Sequence, residues 1–271
     1  MEDCADLARD LIPWFQRHGR DLPWRHRRTP YRVWLAEVML QQTRVETAIP
    51  YYARFLERFP TVEALALAPL EEVLKIWEGL GYYARARHLH AAARQVVGEY
   101  DGRLPNTFEA LIGLPGLGPY TAGAVASIAF DVPVIVLDGN ARRVLSRLFA
   151  VAGDPRRAAT RKRLEALAED CLPVESPGLF NEALIELGAT ICHPRNPECD
   201  HCPLVGACQA HAQGLEEAFP QRAPRRPVPH YHVTAGVVMR NGVVLVTQRE
   251  RDDFLGGLWE FPGGKQEDGE D

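Results

Sequence analysis

The chain has 271 residues, 46% hydrophobic and 25% charged, which is typical of a folded protein with one large or two medium domains. No apolar run approaches the roughly 20 residues of a membrane-spanning helix, and the first ten residues lack the basic and apolar blocks of a signal peptide. We expect a cytoplasmic protein without a membrane partner, and a monomer. The net charge of −5 does not exclude nucleic acid, because phosphate contacts depend on local charge.

Helical periodicity dominates the first 210 residues. Thr29 and Pro30 supply a cap and a first-turn proline for one helix. Asn106 and Glu109 resemble a capping box for another, and Pro50 should kink or split the helix around it. Apolar residues recur three and four positions apart in eight segments: Leu7–Phe15, Val33–Met39, Val62–Leu74, Leu89–Val97, Ala122–Phe130, Ala141–Phe149, Arg161–Leu167 and Leu179–Leu187.

Glu37 is the only charged residue in the apolar segment 33–40. A carboxyl group among large apolar side chains tends to have a raised pKa and can stay protonated near neutral pH, as a general acid must. Periodicity alone equally allows a solvated glutamate at the edge of the apolar stripe. Polar amides that follow at the helix end, Gln41 and Gln42, could enter a base stack.

A glycine-rich turn, Leu-Pro-Gly-Leu-Gly at 114–118, lies between two helical segments. Its backbone N–H groups join the positive end of the next helix, which suits a DNA phosphate without any lysine. The pattern is that of a helix-hairpin-helix, although an ordinary glycine-rich connection would look the same. Such hairpins often hold a monovalent cation among their carbonyls. The candidate phosphate-hairpin residues are Leu114, Gly116, Gly118, Tyr120 and Thr121.

Asp138 follows an apolar run and precedes a helix. In isolation it is best explained as an N-cap. Its position about twenty residues beyond the hairpin adds a second interpretation. A hairpin that grips a phosphate would hold DNA so that a nearby carboxylate faces the sugar of a captured nucleotide.

Four cysteines end the helical part, with the spacing C-x6-C-x2-C-x5-C: Cys192, Cys199, Cys202 and Cys208. So short a loop can wrap one multivalent metal centre, and four thiolates suit either tetrahedral zinc or a [4Fe–4S] cluster. Zinc motifs usually pair two C-x2-C knuckles, whereas this loop has one. The spacing therefore favours the cluster, with a zinc-stabilised helical domain as the alternative.

The composition changes after residue 211. Residues 213–230 contain four prolines with arginines between them, which is typical of a semi-rigid basic linker. Beyond it, apolar residues alternate from Val233 to Val246 around Asn241-Gly242, and this pattern predicts a β-hairpin. About forty residues follow the linker, too few for an independent core, so the second domain reads as incomplete.

Six ordered motifs resemble those of the MutY-type adenine DNA glycosylases, which belong to the helix-hairpin-helix, Gly/Pro-rich-loop, Asp superfamily and are related to endonuclease III. The likeness covers residues 7–210 continuously. It is carried by Ala36–Thr43, Gly79–Arg85, Leu114–Ala122, Val136–Asn140, Asn181–Gly188 and the cysteine loop.

The resemblance implies an all-α, two-lobed helix-hairpin-helix glycosylase fold with an iron–sulfur loop, plus the start of a truncated α/β Nudix-like domain. Residues 1–211 would form the catalytic domain, with a hairpin lobe over about 24–133. The N-terminal residues and 134–211 would form the cluster lobe. A linker over 212–230 would lead to the partial Nudix-like domain at 231–271.

The activity implied is excision of adenine mispaired with 8-oxoguanine or guanine in double-stranded DNA, by base flipping. Glu37 matches the family's catalytic acid, which protonates adenine N7 and later positions water. Asp138 matches the carboxylate that stabilises the cationic sugar, Tyr120 a residue close to that centre, and Asn140 one that orients the catalytic groups. The expected substrate-binding residues are Trp24, Arg25, Leu40 and Glu182 around the flipped base, and Gln42 and Tyr82 within the duplex.

Tyr120 separates this chain from endonuclease III-like enzymes, which carry a nucleophilic lysine at the matching position. With no amine there, we expect a monofunctional glycosylase rather than a combined glycosylase and lyase for oxidised pyrimidines. A non-catalytic mispair-binding protein is a further alternative. It is disfavoured because a degenerate relative should have lost a carboxylate, and both Glu37 and Asp138 are present.

The segment Trp259–Lys265 resembles the opening of a Nudix-type domain, which MutY proteins use to inspect 8-oxoguanine. The acidic helix that binds magnesium in such domains is missing from the sequence, so we do not expect hydrolysis of nucleoside triphosphates. We expect adenine excision with poor discrimination between 8-oxoguanine and guanine on the opposite strand.

Overall fold

The computed structural model describes residues 2–222, 228–250 and 256–266, and it divides the chain into two units, Met1–Arg222 and Ala223–Asp271. The described part of the first unit is helical. Its α-helices are α1 Glu2–His18, α2 Pro23–His26, α3 Pro30–Leu40, α4 Val45–Arg58, α5 Val62–Leu67, α6 Leu70–Trp77, α7 Ala84–Glu99, α8 Phe108–Ile112, α9 Pro119–Phe130, α10 Gly139–Leu148, α11 Ala158–Asp170, α12 Pro177–Thr190 and α13 Gln209–Ala212.

Two hydrophobic cores organise the helical unit. The first core collects apolar side chains from residues 22–126, with fully buried Trp34, Phe55 and Trp77. The second core takes residues 7–15 from α1 and 137–204 from the later helices. Helix α1 therefore packs beside the C-terminal helices although it begins the chain.

One predicted helix start is confirmed, and one predicted split of a helix is not found. The Thr29 hydroxyl accepts a hydrogen bond from the Arg32 N–H at 3.4 Å, and Pro30 opens α3. Thr43–Phe59 is not split at Pro50, because α4 runs through that proline. The proline removes one helical hydrogen bond, but α4 continues past it because Ala48, Tyr52 and Phe55 on its apolar face are buried.

Two predictions of helix boundaries were wrong. The segment Val62–Leu74 forms two helices, α5 and α6, because Pro69 follows Ala68 in extended conformation and becomes the N-cap of α6. The cap of α8 is Thr107, whose hydroxyl accepts from the Ala110 N–H at 3.3 Å, rather than Asn106.

The helical unit continues into the predicted linker. A 3₁₀ turn forms at Glu216–Ala218, and hydrogen bonds attach the chain to the helical unit as far as Gln221. Arg147 donates to the carbonyls of Glu216 and Phe219. The Gly153 N–H donates to Gln221 Oε1 at 2.9 Å. The boundary between the two units therefore falls after Arg222. The prolines and arginines of the linker at 224–227 lie outside the described residues.

The second unit contains short antiparallel strands among its described residues: β1 Val233–Ala235 with β6 Gly263–Lys265, β2 Met239–Arg240 with β3 Val243–Val244, and β4 Thr247–Gln248 with β5 Trp259–Glu260. The predicted hairpin is confirmed, since Asn241 and Gly242 have φ values of 53° and 77° between β2 and β3. Within the described residues, the side chains from Val233 to Val246 are exposed on both faces of the strands. The alternation of apolar and polar residues therefore does not correspond to a buried face.

Candidate functional site

A cavity of about 850 Å³ opens between the helices of the two cores. Its lining comes from α2, α3, α9, α10 and α12. A cavity of this size is within the range of sites that enclose a small ligand. It brings together nine of the predicted site residues: Trp24, Arg25, Glu37, Leu40, Gln42, Tyr120, Asp138, Asn140 and Glu182.

Glu37 projects from α3 into this cavity and is half-buried there. Burial, together with the nearby carboxylates of Glu182 and Asp138, raises the pKa of Glu37 to about 7. The Tyr120 hydroxyl donates a hydrogen bond to its carboxylate, which favours the ionised form and opposes this rise. Glu37 therefore lines the cavity and is not a solvated residue at the edge of the apolar stripe. It exists in both protonation states near neutral pH.

Asp138 serves both of the roles considered from the sequence. Its Oδ1 accepts from the Ala141 N–H at 2.7 Å, so it caps α10, and the same side chain lines the cavity. Asn140 Nδ2 donates to Oδ2 at 2.8 Å. Burial raises the pKa of Asp138, while these hydrogen bonds favour the ionised carboxylate.

Buried Asn181 on α12 fixes the extended segment that leads to Asp138. Its side chain donates to the Val134 carbonyl at 2.8 Å and accepts from the Val136 N–H at 3.1 Å. Gly188 on the same helix lets Asn140 approach, since a Cβ there would lie 2.6 Å from the Asn140 Cβ. The motif 181–188 therefore positions both Asp138 and Asn140.

Charged pairs on α12 surround the part of the cavity near Trp24. Glu182 accepts from Arg25 Nε at 3.3 Å and lies 2.8 Å from Arg28 Nη1. Glu186, buried one turn further, accepts from Arg20 Nε at 2.8 Å and from Arg25 Nη2 at 3.0 Å. Burial raises the pKa of Glu182, with Arg28 and Arg25 opposing the rise.

The sequence did not identify Arg20, Arg28 or Glu186 as site residues. The available signal was the spacing of Glu182 and Glu186, four positions apart on an otherwise apolar helix. Two carboxylates on the buried face of one helix require cationic partners, because an unpaired buried charge is very costly. Their partners lie more than 150 positions away in the chain, so no local pattern indicated them.

The predicted hairpin joins α8 to α9. The side chains of Leu114 and Thr121 are buried in the protein, and Gln41 Nε2 donates to Thr121 Oγ1 at 2.9 Å. Gly116 has a φ of 78°, and a Cβ there would meet His88 at 2.6 Å, so this position requires glycine. The surface that remains for a phosphate is the exposed backbone around Gly116 and Gly118, at the N-terminus of α9.

Tyr82 lies outside the cavity lining and is 60% exposed in the turn before α7. Gln42, which is exposed at the cavity edge, follows α3. Both residues have left-handed backbone conformations, with φ values of 57° for Gln42 and 49° for Tyr82. Such conformations are strained for non-glycine residues and often occur where function requires them.

The four cysteines of the loop are free thiols that line one small cavity with Arg147. Arg147 is buried and donates from Nη1 to Cys192 Sγ at 3.2 Å and to the His193 carbonyl. Cys199 also lies near His211 and Glu216, but those two side chains bond to each other at 2.6 Å. Four thiols facing one enclosed space fit a four-cysteine metal centre.

The part of the chain that the structure describes holds no helix with the length and apolarity needed to cross a membrane.

Family models match both units. A model described as "HhH-GPD superfamily base excision DNA repair protein" matches residues 35–170. A NUDIX domain model matches residues 230–271. The second match agrees with the resemblance found in the segment Trp259–Lys265.

Curated relatives include adenine DNA glycosylases. That of Rattus norvegicus is 41% identical, and the alignment covers 97% of this chain and 61% of that protein. That of Homo sapiens is 38% identical over 97% of this chain and 58% of that protein. A bacterial example from Buchnera aphidicola subsp. Schizaphis graminum is 39% identical over 80% of this chain and 62% of that protein. The chain spans about three-fifths of the length of the curated relatives it matches.

Solved structures share the helical architecture. A thermostable thymine-DNA glycosylase has a TM-score of 0.70 and 30% identity, covering 78% of this chain and 98% of that chain. An endonuclease III in a non-covalent DNA complex has a TM-score of 0.64 and 25% identity, covering 79% of this chain and 96% of that chain. These similarities confirm the expected fold class.

Proposed function

Because the chain belongs to the HhH-GPD superfamily of base excision DNA repair proteins, we propose that it is an adenine DNA glycosylase acting on adenine opposite 8-oxoguanine or guanine. The observation that carries this proposal is the pairing of Glu37 and Asp138 in one cavity. Burial raises the pKa of Glu37 to about 7, so the group can hold a proton at physiological pH. Asp138 accepts two hydrogen bonds that favour its ionised form.

The two carboxyl groups suit cleavage of an N-glycosidic bond. That bond breaks through an oxocarbenium-like state, and glycoside hydrolysis generally uses one protonated and one ionised carboxyl group. Glu37 donates its proton to adenine N7, which makes the base a neutral leaving group. Asp138 stabilises the positive charge on the sugar, and Glu37, now ionised, orients the attacking water.

The cavity receives the adenine after extrusion from the duplex. Rotating a nucleotide out of the stack costs a few kcal/mol, and least at a mispair, which favours mispaired substrates. Trp24 and Leu40 supply apolar surface for the base, and Arg25 with Glu182 supplies hydrogen-bonding groups. The backbone at Gly116 and Gly118 binds a DNA phosphate, which requires no net positive charge on the chain.

We further propose that the enzyme is monofunctional. Tyr120 stands where a lyase would need its amine, and its hydroxyl is engaged with Glu37. An endonuclease III-like glycosylase and lyase remains the second candidate, because the structural likeness to endonuclease III is strong. Strand cleavage on the abasic product, read before heat or alkali, separates the two: rapid nicking would favour the lyase.

The cysteine loop is proposed to hold a [4Fe–4S] cluster through Cys192, Cys199, Cys202 and Cys208. The cluster would supply a fixed, multivalent crosslink for the loop and a centre capable of electron transfer. The four thiols and their shared enclosure support this assignment. The monovalent cation at the hairpin and the reducing, cytoplasmic location stay predictions.

A single-turnover excision assay tests the proposal. Duplexes carry adenine opposite 8-oxoguanine or guanine, with cytosine and thymine in place of adenine as specificity controls. Glu37→Gln should lower the rate by about 10²–10⁴-fold, as expected for loss of a general acid, and leave mispair binding intact. Glu71→Gln, at an exposed position on α6, is the matched control and should not slow excision.

Excision by Glu37→Gln at the wild-type rate would show that the assigned acid is wrong. Excision of thymine or cytosine instead of adenine would refute the substrate. Comparing the rates opposite 8-oxoguanine and guanine also tests the expected poor discrimination, which a strong preference for 8-oxoguanine would contradict.

A further inference from the structure

A buried guanidinium, that of Arg85 on α7, lies beneath the two exposed turns that carry Gln42 and Tyr82. Arg85 is 8% exposed. Its Nη1 donates to the carbonyls of Met39 at 2.8 Å and Val38 at 3.1 Å, and also to Gln41. Its Nη2 donates to the carbonyls of Leu80 and Gly81, each at 3.2 Å.

The two ends of the guanidinium therefore hold two separate turns. One turn follows α3 and the other precedes α7. In each turn, the carbonyl bonded to Arg85 belongs to the residue just before the exposed one: Gln41 before Gln42, and Gly81 before Tyr82. The guanidinium is planar and rigid, so it fixes the spacing of these two carbonyls.

Both exposed residues need such support. Gln42 and Tyr82 have positive φ values of 57° and 49°, a conformation that non-glycine residues keep only when their surroundings determine it. The ring of Tyr82 lies over the Arg85 guanidinium, with its centroid 5.5 Å from Cζ. Trp77 lies near the same group at 5.3 Å and donates to the Gly81 carbonyl at 3.0 Å.

The same helix also contacts the phosphate hairpin. His88, one turn after Arg85, fills the space next to Gly116. Arg85, His88, Pro115 and Gly116 line one small cavity. The two turns and the hairpin are thus packed on one face of α7, which keeps their relative positions fixed.

We propose that Arg85 is a positioning residue that holds Gln42 and Tyr82 at one spacing, so that both side chains enter the duplex together when the mispaired nucleotide is extruded. This proposal rests on the proposed glycosylase function and deepens it. Arg85 does not line the cavity proposed to receive the flipped base. Its effect on excision passes through the two turns, and a lysine cannot replace it, because an ammonium group lacks the two-ended fork.

The test uses the whole chain and compares Arg85→Lys with Arg94→Lys, an exposed arginine on the same helix. A duplex with 2-aminopurine next to the mispaired adenine reports local unstacking as a rise in fluorescence. Arg85→Lys should bind a matched duplex like the wild type, lose most of the fluorescence rise, and excise adenine about 100-fold more slowly, as expected for misplaced groups. Arg94→Lys should match the wild type.

Coupling through the turns is tested with a double-mutant cycle. Tyr82→Ala combined with Arg85→Lys should excise no more slowly than the slower single variant. Losses that multiply would show that Arg85 acts independently of the turns and would overturn the proposal. Wild-type fluorescence and rate in Arg85→Lys would overturn it as well.

A second pair of variants leaves Arg85 in place in case Arg85→Lys does not fold. If the turns act as one unit, Gln42→Ala and Tyr82→Ala should be strongly non-additive, and multiplying losses would again overturn the proposal. A wild type that excises no adenine would refute the proposed function instead. The fluorescence response of Arg85→Lys on a mispaired duplex would still decide the role of Arg85.

Discussion

Arg143 donates a hydrogen bond from Nε to the carbonyl oxygen of Cys192 at 2.8 Å. The same guanidinium donates from Nη2 to Asn140 Oδ1 at 2.9 Å, and Asn140 in turn donates to Asp138 at 2.8 Å. Three consecutive hydrogen bonds therefore connect the first cysteine of the loop to a carboxylate in the cavity. We expect changes in the loop to reach Asp138 through this chain of contacts.

Replacing Arg143 should affect both ends of this connection. Arg143→Met leaves Asn140 free to rotate away from Asp138 and leaves the Cys192 and Gly188 carbonyls without their donor. We expect single-turnover excision to slow by about 100-fold, and bound metal to fall in the same preparation.

The matched control for this change is Arg161→Met, on the half-exposed surface of α11. It should alter neither the excision rate nor the metal content. A slower Arg143→Met with full metal content would show that the residue serves Asp138 alone. Unchanged activity would contradict the connection.

A second prediction concerns the pH dependence of excision. Because burial raises the pKa of Glu37 to about 7 and the proton is needed, the rate should fall as the pH rises through about 7. The Tyr120 hydroxyl stabilises the ionised form of Glu37. Tyr120→Phe removes that hydrogen bond, so the pKa of Glu37 should rise further and the fall should move to higher pH.

Single-turnover rates over a pH series measure this shift. Tyr100→Phe, at the C-cap of α7 and outside the cavity lining, serves as the matched control and should keep the wild-type profile. A profile that moves to lower pH in Tyr120→Phe would mean that the hydrogen bond does not act on the ionised acid.

The sequence predicted the central pair of the site because local signals marked each carboxylate. Glu37 is the single charge in the apolar segment 33–40, and Asp138 precedes a helix start. The partners of the buried charges could not be predicted from the sequence. Arg20 and Glu186 are 166 positions apart, and Arg85 bonds to carbonyls more than 40 positions before it. Tertiary packing alone brings these groups together.

Prediction of the helices and strands met the same limit, because local patterns do not show tertiary packing. Apolar spacing predicted most helices, since one face of each helix is buried in a core. It could not show that Pro69 would divide the segment Val62–Leu74, because both halves keep the same spacing. The alternation at Val233–Val246 predicted strands correctly but not their exposure, which depends on what covers the sheet.

A third prediction concerns Glu186 and stability. Burial alone would raise its pKa, but the hydrogen bonds from Arg20 and Arg25 outweigh burial and lower the pKa to about 2. The folded pKa is therefore below the ordinary value of 4.5. This contribution to stability is fully present above pH 4.5 and is lost as the pH falls through about 2.

Glu186→Gln should destabilise the protein by about 3–5 kcal/mol near pH 7, since it leaves two arginines without their shared carboxylate. The difference from the wild type should shrink as the pH approaches 3, a comparison that thermal melting at both pH values provides. Glu72→Gln, which breaks the half-exposed pair with Arg58, should cost no more than about 1 kcal/mol. A constant difference at both pH values would show that packing rather than charge makes Glu186 important.

The last prediction distinguishes an iron–sulfur cluster from zinc in the cysteine loop. Purified protein should be brown, absorb at about 400 nm and contain iron and acid-labile sulfide, as expected of a [4Fe–4S] centre. Cys199→Ser should lower the iron content and the melting temperature, because the loop would lose one of its four links to the cluster. His201→Ala, an exposed position between two of the cysteines, should keep both iron and melting temperature. Stoichiometric zinc without iron would instead make the loop a tetrahedral zinc site.

The connection from Cys192 through Arg143 to Asp138 would then be structural only, since zinc has no redox chemistry.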